Sequence, residues 1–383
     1  MKTVMVRDPL RTGRTGPTEE GKCRSRRIRF GWWPALLAAV SCGPPDRFVA
    51  PGKGGAPRFS PQHLKLFQPG YSPRFSVPLD QPIWRPAAAA DHMRPEDPVV
   101  GFVLNGNSWA IPWWIFKNHH VANLTLAGQP LLVTLCERCS SAAAFDPRVR
   151  GRRLSFRIVG MYNGTHILGD DQSGTLWTPF VGEAVSGRLV GIRLRRLPAY
   201  QALWKDWRAW HPESLVAFAA ERLRGGHSSV DRPGLSFIDR EMRETLVRWD
   251  DRLPASDLVL GVRVGRHARA YALEDLGRSG GVLQDSLGGE PIVILHRRGT
   301  LLAAAFRRRL DNQPLAFELR GRLFVDRQSG SAWGLDGVAG SGPLAGRRLA
   351  YVPSGVEEWY QWAAANPDTE IYRARPLQGG GKP

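Results

Sequence analysis

Two stretches of this 383-residue chain carry the same series of short blocks in the same order, and only the first contains a cysteine pair. Residues 98–215 include Val100-Gly101-Phe102-Val103, Gly128-Gln129-Pro130-Leu131, Ala142-Ala143-Ala144-Phe145, Gln172-Ser173-Gly174-Thr175-Leu176-Trp177 and Trp204-Lys205-Asp206-Trp207. Residues 258–370 answer with Leu260-Gly261-Val262, Gly289-Glu290-Pro291-Ile292, Ala303-Ala304-Ala305-Phe306, Gln328-Ser329-Gly330-Ser331-Ala332-Trp333 and Trp359-Tyr360-Gln361-Trp362. The offset drifts only from 155 (Trp204 to Trp359) to 161 (Ala142 to Ala303). Kept order and spacing are the signature of a repeated structural unit. Cys136-Glu137-Arg138-Cys139 of the first copy aligns with Arg297-Arg298-Gly299-Thr300 of the second. Candidate chemistry therefore belongs to one copy, and the other keeps the scaffold.

The length suits two units, each large enough to bury a core without disulfides. A hydrophobic share of 42% and 14 Trp exclude a disordered chain. The formal charge of +18 invites a nucleic-acid reading, but 46 of the 53 basic residues are Arg, and they are scattered. No nucleic-acid motif accompanies them, and that argues against such a partner.

The N-terminus reads as an export signal. Arg24-Ser25-Arg26-Arg27-Ile28-Arg29 forms a basic start, Phe30 to Val40 a short apolar stretch, and Ala39-Val40-Ser41-Cys42 resembles a lipoprotein box with Cys42 as the acylated residue. Residues 1–42 are thus expected to be a signal or lipid anchor, and 43–77, rich in Pro and Gly, a tether. The expected body is exported, to the periplasm or cell envelope, and touches membrane only through that anchor.

Within each copy, short apolar runs alternate with turn residues. Val99 to Leu104 stops at Asn105-Gly106, a strong hairpin signal. Leu154 to Val159 alternates apolar and polar, as a half-buried strand does. Helices are predicted at the ends, over Tyr200 to His211 and Gly355 to Asn366, where Trp recurs at helical spacing. The predicted fold is α+β and β-rich: two tandem copies (78–215 and 257–375) of one predominantly antiparallel unit, each ending in a short helix, with 216–256 as connection.

Cys136 and Cys139 follow a buried strand at a spacing that lets two sulfurs share a metal or close a small disulfide loop. A third ligand has to come from elsewhere, and His119-His120 lies sixteen residues upstream of the pair (120 to 136). If Asn123 to Thr134 is a hairpin, a histidine returns beside the sulfurs. Two thiolates and an imidazole suit zinc or copper. A disulfide or redox pair, or buried thiols without chemistry, are the other readings of the same residues. Tyr162-Asn163-Gly164-Thr165-His166 is a second polar cluster, and its counterpart, Arg320-Gly321-Arg322-Leu323, keeps none of Tyr, Asn or His. Asn163, Tyr162 and Glu183 are therefore the candidate catalytic groups. Neither a GxSxG elbow nor a phosphate-cradling Gly loop is present.

His119, Asn123, Gly128-x-Pro130, the Cys136-x-x-Cys139-x-Ser141-Ala142 block with Phe145-Asp146, Tyr162-Asn163, Gly174-x-Leu176-Trp177 and Gly182-Glu183-Ala184 together resemble a prokaryotic family catalogued as domain of unknown function 3179. The resemblance covers about residues 78–215, with the second copy diverged. It implies an exported or membrane-attached protein and favours His119 over His120 as the site imidazole. The chain departs from the family pattern at His120, Leu124, Leu135, Glu137 and Ser140. The reading is an extracytoplasmic protein with a metal or redox site of His119, Cys136 and Cys139, lined by Tyr162 and Asn163, acting on a small molecule or envelope component. The alternative is a non-enzymatic envelope scaffold whose cysteines form a structural disulfide.

Overall fold

The turn pairs of the sequence are where the chain reverses. In the computed structural model, which describes residues 68–69, 77–117, 119–218 and 240–373, Asn105 and Gly106 have φ of 50° and 80° and join strands Pro98–Leu104 and Asn107–Pro112. Two successive positive φ values make the turn whose twist matches that of the flanking strands. Ala127-Gly128 and Asn163-Gly164 do the same for Val121–Leu126 with Gln129–Cys136 and for Phe156–Tyr162 with Thr165–Asp170. The expected signal, the lipidation candidate Cys42 and nearly all of the tether lie outside the described residues. Of the tether, Gln68–Pro69 pairs with Met161 and Gly160.

The fold is β-rich α+β, built of small, mostly antiparallel sheets. Three of the larger ones belong to the first half. One runs Tyr200–Leu203, Pro98–Leu104, Asn107–Pro112, Leu215–Phe218, Ile83–Pro86, with a single parallel pairing between Asn107–Pro112 and Leu215–Phe218. The second runs Arg195–Leu197, Ser141–Asp146, Gln129–Cys136, Val121–Leu126, and the third is built on the Asn163-Gly164 hairpin. In the second half Ser354–Glu358, Leu258–Val264, His267–Ala272 and Glu370–Ile371 make one sheet. Val282–Leu287, Glu290–His296, Ala303–Arg307 and Tyr351–Val352 make another, and Phe317–Arg320 to Ala339–Ser341 a third.

The aromatic blocks have matching jobs in the two halves. Trp177 Nε1 donates to Asp170 Oδ2 at 2.9 Å, and Trp333 Nε1 to Asp326 Oδ2 at 2.9 Å. The same carboxylates accept from the backbone of Ser173 and Ser329, so each indole is locked to its turn. Trp207 lies against Gly101 and Trp362 against Gly261, where a Cβ would come within 2.3 Å and 2.1 Å of the ring. One hydrophobic cluster draws on both halves, joining Trp204, Trp207 and Tyr200 to Val293, Phe306 and Trp333.

Two expectations need correction. The terminal helices are shorter, Trp204–Trp210 and Trp359–Ala365, because Tyr200–Leu203 and Ser354–Glu358 are taken up as strands against Pro98–Leu104 and Leu258–Val264. The stretch read as connection starts with strand residues, since Leu215–Phe218 is a full member of the first sheet. Sheet pairing overrides the helical spacing of the Trp residues at those edges.

Candidate functional site

The cysteine loop is the turn of a hairpin. Gln129–Cys136 ends on Cys136, Glu137–Cys139 forms one 3₁₀ turn, and Ser140 reverses the chain with φ 47° before Ser141–Asp146. Cys136 and Ser141 are cross-strand partners, so the turn is tight and its backbone converges on the sulfurs. Ser141 Oγ donates to Cys139 O at 2.8 Å, and Cys139 Sγ lies 3.8 Å from Thr165 Oγ1. Both thiols are free and buried.

Their environments differ. The neighbouring Cys139 thiol, whose Sγ lies 3.9 Å from the Cys136 carbonyl O, lowers the pKa of Cys136 against the opposing effects of burial and Glu137, with help from His120 and the Cys139 backbone. Cys139 moves strongly the other way, first because it is fully buried and then because of the Cys136 thiol beside it. Such asymmetry makes Cys136 the readier thiolate and Cys139 its protonated partner.

The imidazole beside the sulfurs belongs to His120, not to His119. Leu135 N–H donates to His120 O at 3.0 Å, extending the Val121↔Thr134 ladder by one step and drawing His120 in beside Cys136. His120 Nδ1 sits 3.2 Å from Glu137 Oε2 and 3.4 Å from Leu135 O. Burial disfavours its charge, but the Glu137 carboxylate outweighs that, and the net shift is upward. Glu137 is likewise opposed by burial and carried downward by His120. His119 turns to the rim, its Nδ1 2.9 Å from Val77 O. The second interior histidine is His166, 5.5 Å from His120 ring to ring, with Nε2 3.1 Å from Thr134 Oγ1. Burial, and then the neighbouring His120 charge, holds it well below the ordinary histidine range, hence neutral.

The other candidates are elsewhere engaged. Asn163 Nδ2 donates to Ala364 O at 2.8 Å and its Oδ1 accepts from Val247 N at 3.1 Å, so it ties its turn to the second half. Tyr162 is half-buried, its phenol pushed up by burial. Glu183 is ion-paired with Arg193 at 2.7 Å on the surface. Among the described residues, no three His, Cys, Asp or Glu side chains lie close enough together to hold a metal ion.

What sequence reasoning missed is the wall. Ser140 Oγ donates to Glu358 Oε1 at 2.9 Å, and Gln201 Nε2 bridges Ser140 O (3.0 Å) and Val356 O. Tyr360 packs in the same hydrophobic cluster as Cys136 and Cys139. The cysteine-free half therefore closes the cysteine site. Hairpin register could have singled out His120. No local signal links Ser140 to a residue 218 positions away.

The architecture and site define a β-rich α+β protein with a buried cysteine pair set between its two halves. The chain matches the family described as "Protein of unknown function (DUF3179)" over residues 76–369, and it belongs to that family. The matched stretch runs through both halves, taking in the diverged second copy as well as residues 78–215. No curated protein and no solved structure gives a significant match.

Proposed function

We propose that Cys136 and Cys139 form a reversible dithiol–disulfide centre in an exported, envelope-associated protein. The reading is carried by the tight turn that holds the two cysteines: Glu137–Cys139 is a single 3₁₀ turn on which both thiols are free and buried, and the Cys139 Sγ lies 3.9 Å from the Cys136 carbonyl O. Oxidation forms one S–S bond and releases two protons and two electrons. A thiol–disulfide partner of the envelope accepts them, becoming a dithiol itself. Cys136, the more acidic thiol, is the one that attacks the partner's disulfide, and Cys139 resolves the mixed disulfide. The basic start and apolar stretch before Cys42 support export.

A second reading keeps the same sulfurs as ligands of zinc or copper(I), with His120 as imidazole. It is favoured by the lowered pKa of Cys136, which the Cys139 thiol and the nearby His120 push toward the thiolate a metal needs. Rotation of His120 away from Glu137 would have to complete its ligand set.

Thiol counting and metal analysis of the purified full chain, alongside Cys136→Ser and Cys139→Ser, separate the possibilities. The proposal expects two of the chain's four thiols to disappear on mild oxidation and return on re-reduction, a change absent from both variants, and no bound metal. One equivalent of metal lost in both variants supports the second reading. A disulfide that resists reduction in the folded protein leaves only the scaffold.

A further inference from the structure

Among the described residues, Tyr360 is the one second-half side chain that lies in the hydrophobic cluster of the sulfurs. It is 3% exposed, yet its hydroxyl makes no sound hydrogen bond to any described residue. A buried hydroxyl left unsatisfied costs about 1–3 kcal/mol, so its retention calls for a partner that appears in some state of the protein. The polar groups it faces are Cys139, Cys136 and the Glu358 carboxylate. Glu358 is already the acceptor of Ser140. The sulfurs remain.

The surroundings hold this ring in position. Gly164, with φ +76°, brings bare backbone up to the phenol, where a Cβ would stand 3.3 Å from Tyr360 Cε2 and 2.6 Å from Leu246. Its neighbour Asn163 grips Ala364 O on the helix that carries Tyr360. The Tyr162-Asn163-Gly164 motif, which has no counterpart in the second copy, thus seats a second-half aromatic against first-half cysteines. The residue aligned with Tyr360 in the first copy is Lys205, which is exposed. An aromatic at this position is specific to the copy that faces the sulfurs.

We infer that the Tyr360 hydroxyl is the hydrogen-bond donor to the cysteine pair in its reduced, thiolate-bearing state, so that the cysteine-free half supplies a working group of the site. The inference rests on the dithiol reading of the site. A donor aimed at a thiolate stabilises the reduced state and has nothing comparable to bind once both sulfurs are joined. Tyr360 therefore biases the couple toward the dithiol.

The test is redox equilibration of the full chain in glutathione buffers at one fixed pH, read by alkylation and mass, for wild type, Tyr360→Phe and Tyr372→Phe. Tyr360→Phe removes one oxygen and keeps the ring, and a thermal melt checks that it folds. The expected result is a shift of about tenfold toward the disulfide in Tyr360→Phe, equivalent to about 30 mV for a two-electron couple, and none in Tyr372→Phe, whose ring stacks on Tyr271 instead. A reversible wild-type couple with Tyr360→Phe unshifted overturns this inference and leaves the dithiol centre standing. A wild type that forms no reversible disulfide overturns both. Should Tyr360→Phe fail to fold, Tyr360→Trp, which keeps an aromatic ring and restores a hydrogen-bond donor, has to restore folding and hold the potential within threefold of wild type; a larger shift or a failure to fold overturns the inference.

Discussion

Ser140 and Glu358, 218 residues apart, share a buried hydrogen bond of 2.9 Å in which the serine hydroxyl donates to the carboxylate. Ser140 has φ 47°, a conformation that favours glycine and costs a residue with a Cβ about 1 kcal/mol. The hydroxyl offsets that strain by satisfying a carboxyl oxygen the fold has removed from water. Ser140→Ala keeps the strain and discards the bond, and is expected to lower stability by about 2 kcal/mol. Ser140→Gly discards both, and should lie between Ala and wild type. Denaturant titration of the three chains gives the order, and Ala equal to wild type would mean that the bond contributes nothing.

Gly101 and Gly261 lie on equivalent strands, each beneath an indole that is fixed at its far end. Trp207 Nε1 donates to Ser214 Oγ at 2.9 Å and Trp362 Nε1 to Thr369 Oγ1 at 2.7 Å. Neither ring can retreat from a new methyl group without losing that bond. Gly101→Ala and Gly261→Ala are each expected to destabilise by about 3 kcal/mol, at the upper end of overpacking costs. Soluble yield and melting temperature measure this. A neighbouring exposed turn change, Gly106→Ala, has open space around its Cβ and strains only the backbone, so its cost should be smaller.

Much of this scaffold could be read from residues alone. Gly101 and Trp207, and their counterparts Gly261 and Trp362, stood out as recurring blocks because glycine–indole packing is a fixed, local requirement of sheet and helix. The hairpin turns were equally legible, since Asn-Gly at 105–106 and 163–164 leaves the chain few other conformations. The helix starts were not, because Tyr200 and Ser354 are drawn into strands by partners about a hundred residues away. The cysteine loop was found, but its histidine was misassigned. His119 and His120 differ in sequence by one position, and only the register of Leu135 against His120 decides which ring turns inward. Glu358 and Tyr360 were beyond reach, because the packing of one copy on the other leaves no pattern within either.

Glu357, the neighbour of Glu358, is buried with Oε2 unpartnered, and burial pushes its pKa up to about 7 despite Arg196 and Arg263 nearby. The folded protein thus holds this proton at a pH where the unfolded chain has lost it. Stability is then drained as pH rises from the ordinary glutamate value of 4.5 toward 7. Glu357→Gln removes the dependence. Its melting temperature relative to wild type should rise between pH 5 and pH 8, with a stability gain of up to about 3 kcal/mol at the upper end. An offset that is the same at both pH values would show that Glu357 ionises normally.

The buried His120–Glu137 pair makes the opposite kind of claim, because each partner favours the other's charge. Glu137 has a lowered pKa, so its contribution is present above the unfolded value of 4.5 and is lost as acid protonates it. His120 has a raised pKa, so its contribution is complete below 6.5 and is lost as pH climbs through the folded value. The coupling is therefore greatest between about pH 4.5 and 6.5 and fades on both sides. A double-mutant cycle of His120→Ala and Glu137→Gln, run by chemical denaturation at pH 5.5 and pH 8.5, reads it directly. His120→Ala alone strands a buried carboxylate and is expected to cost about 3 kcal/mol at pH 5.5, while most of that cost returns in the double variant. His119→Ala, which loses only a contact with Val77 O at the rim, should stay within about 0.5 kcal/mol of wild type. If His119→Ala proved the more damaging of the two, or if the coupling were larger at pH 8.5, the assignment of His120 as the histidine of this site would be wrong.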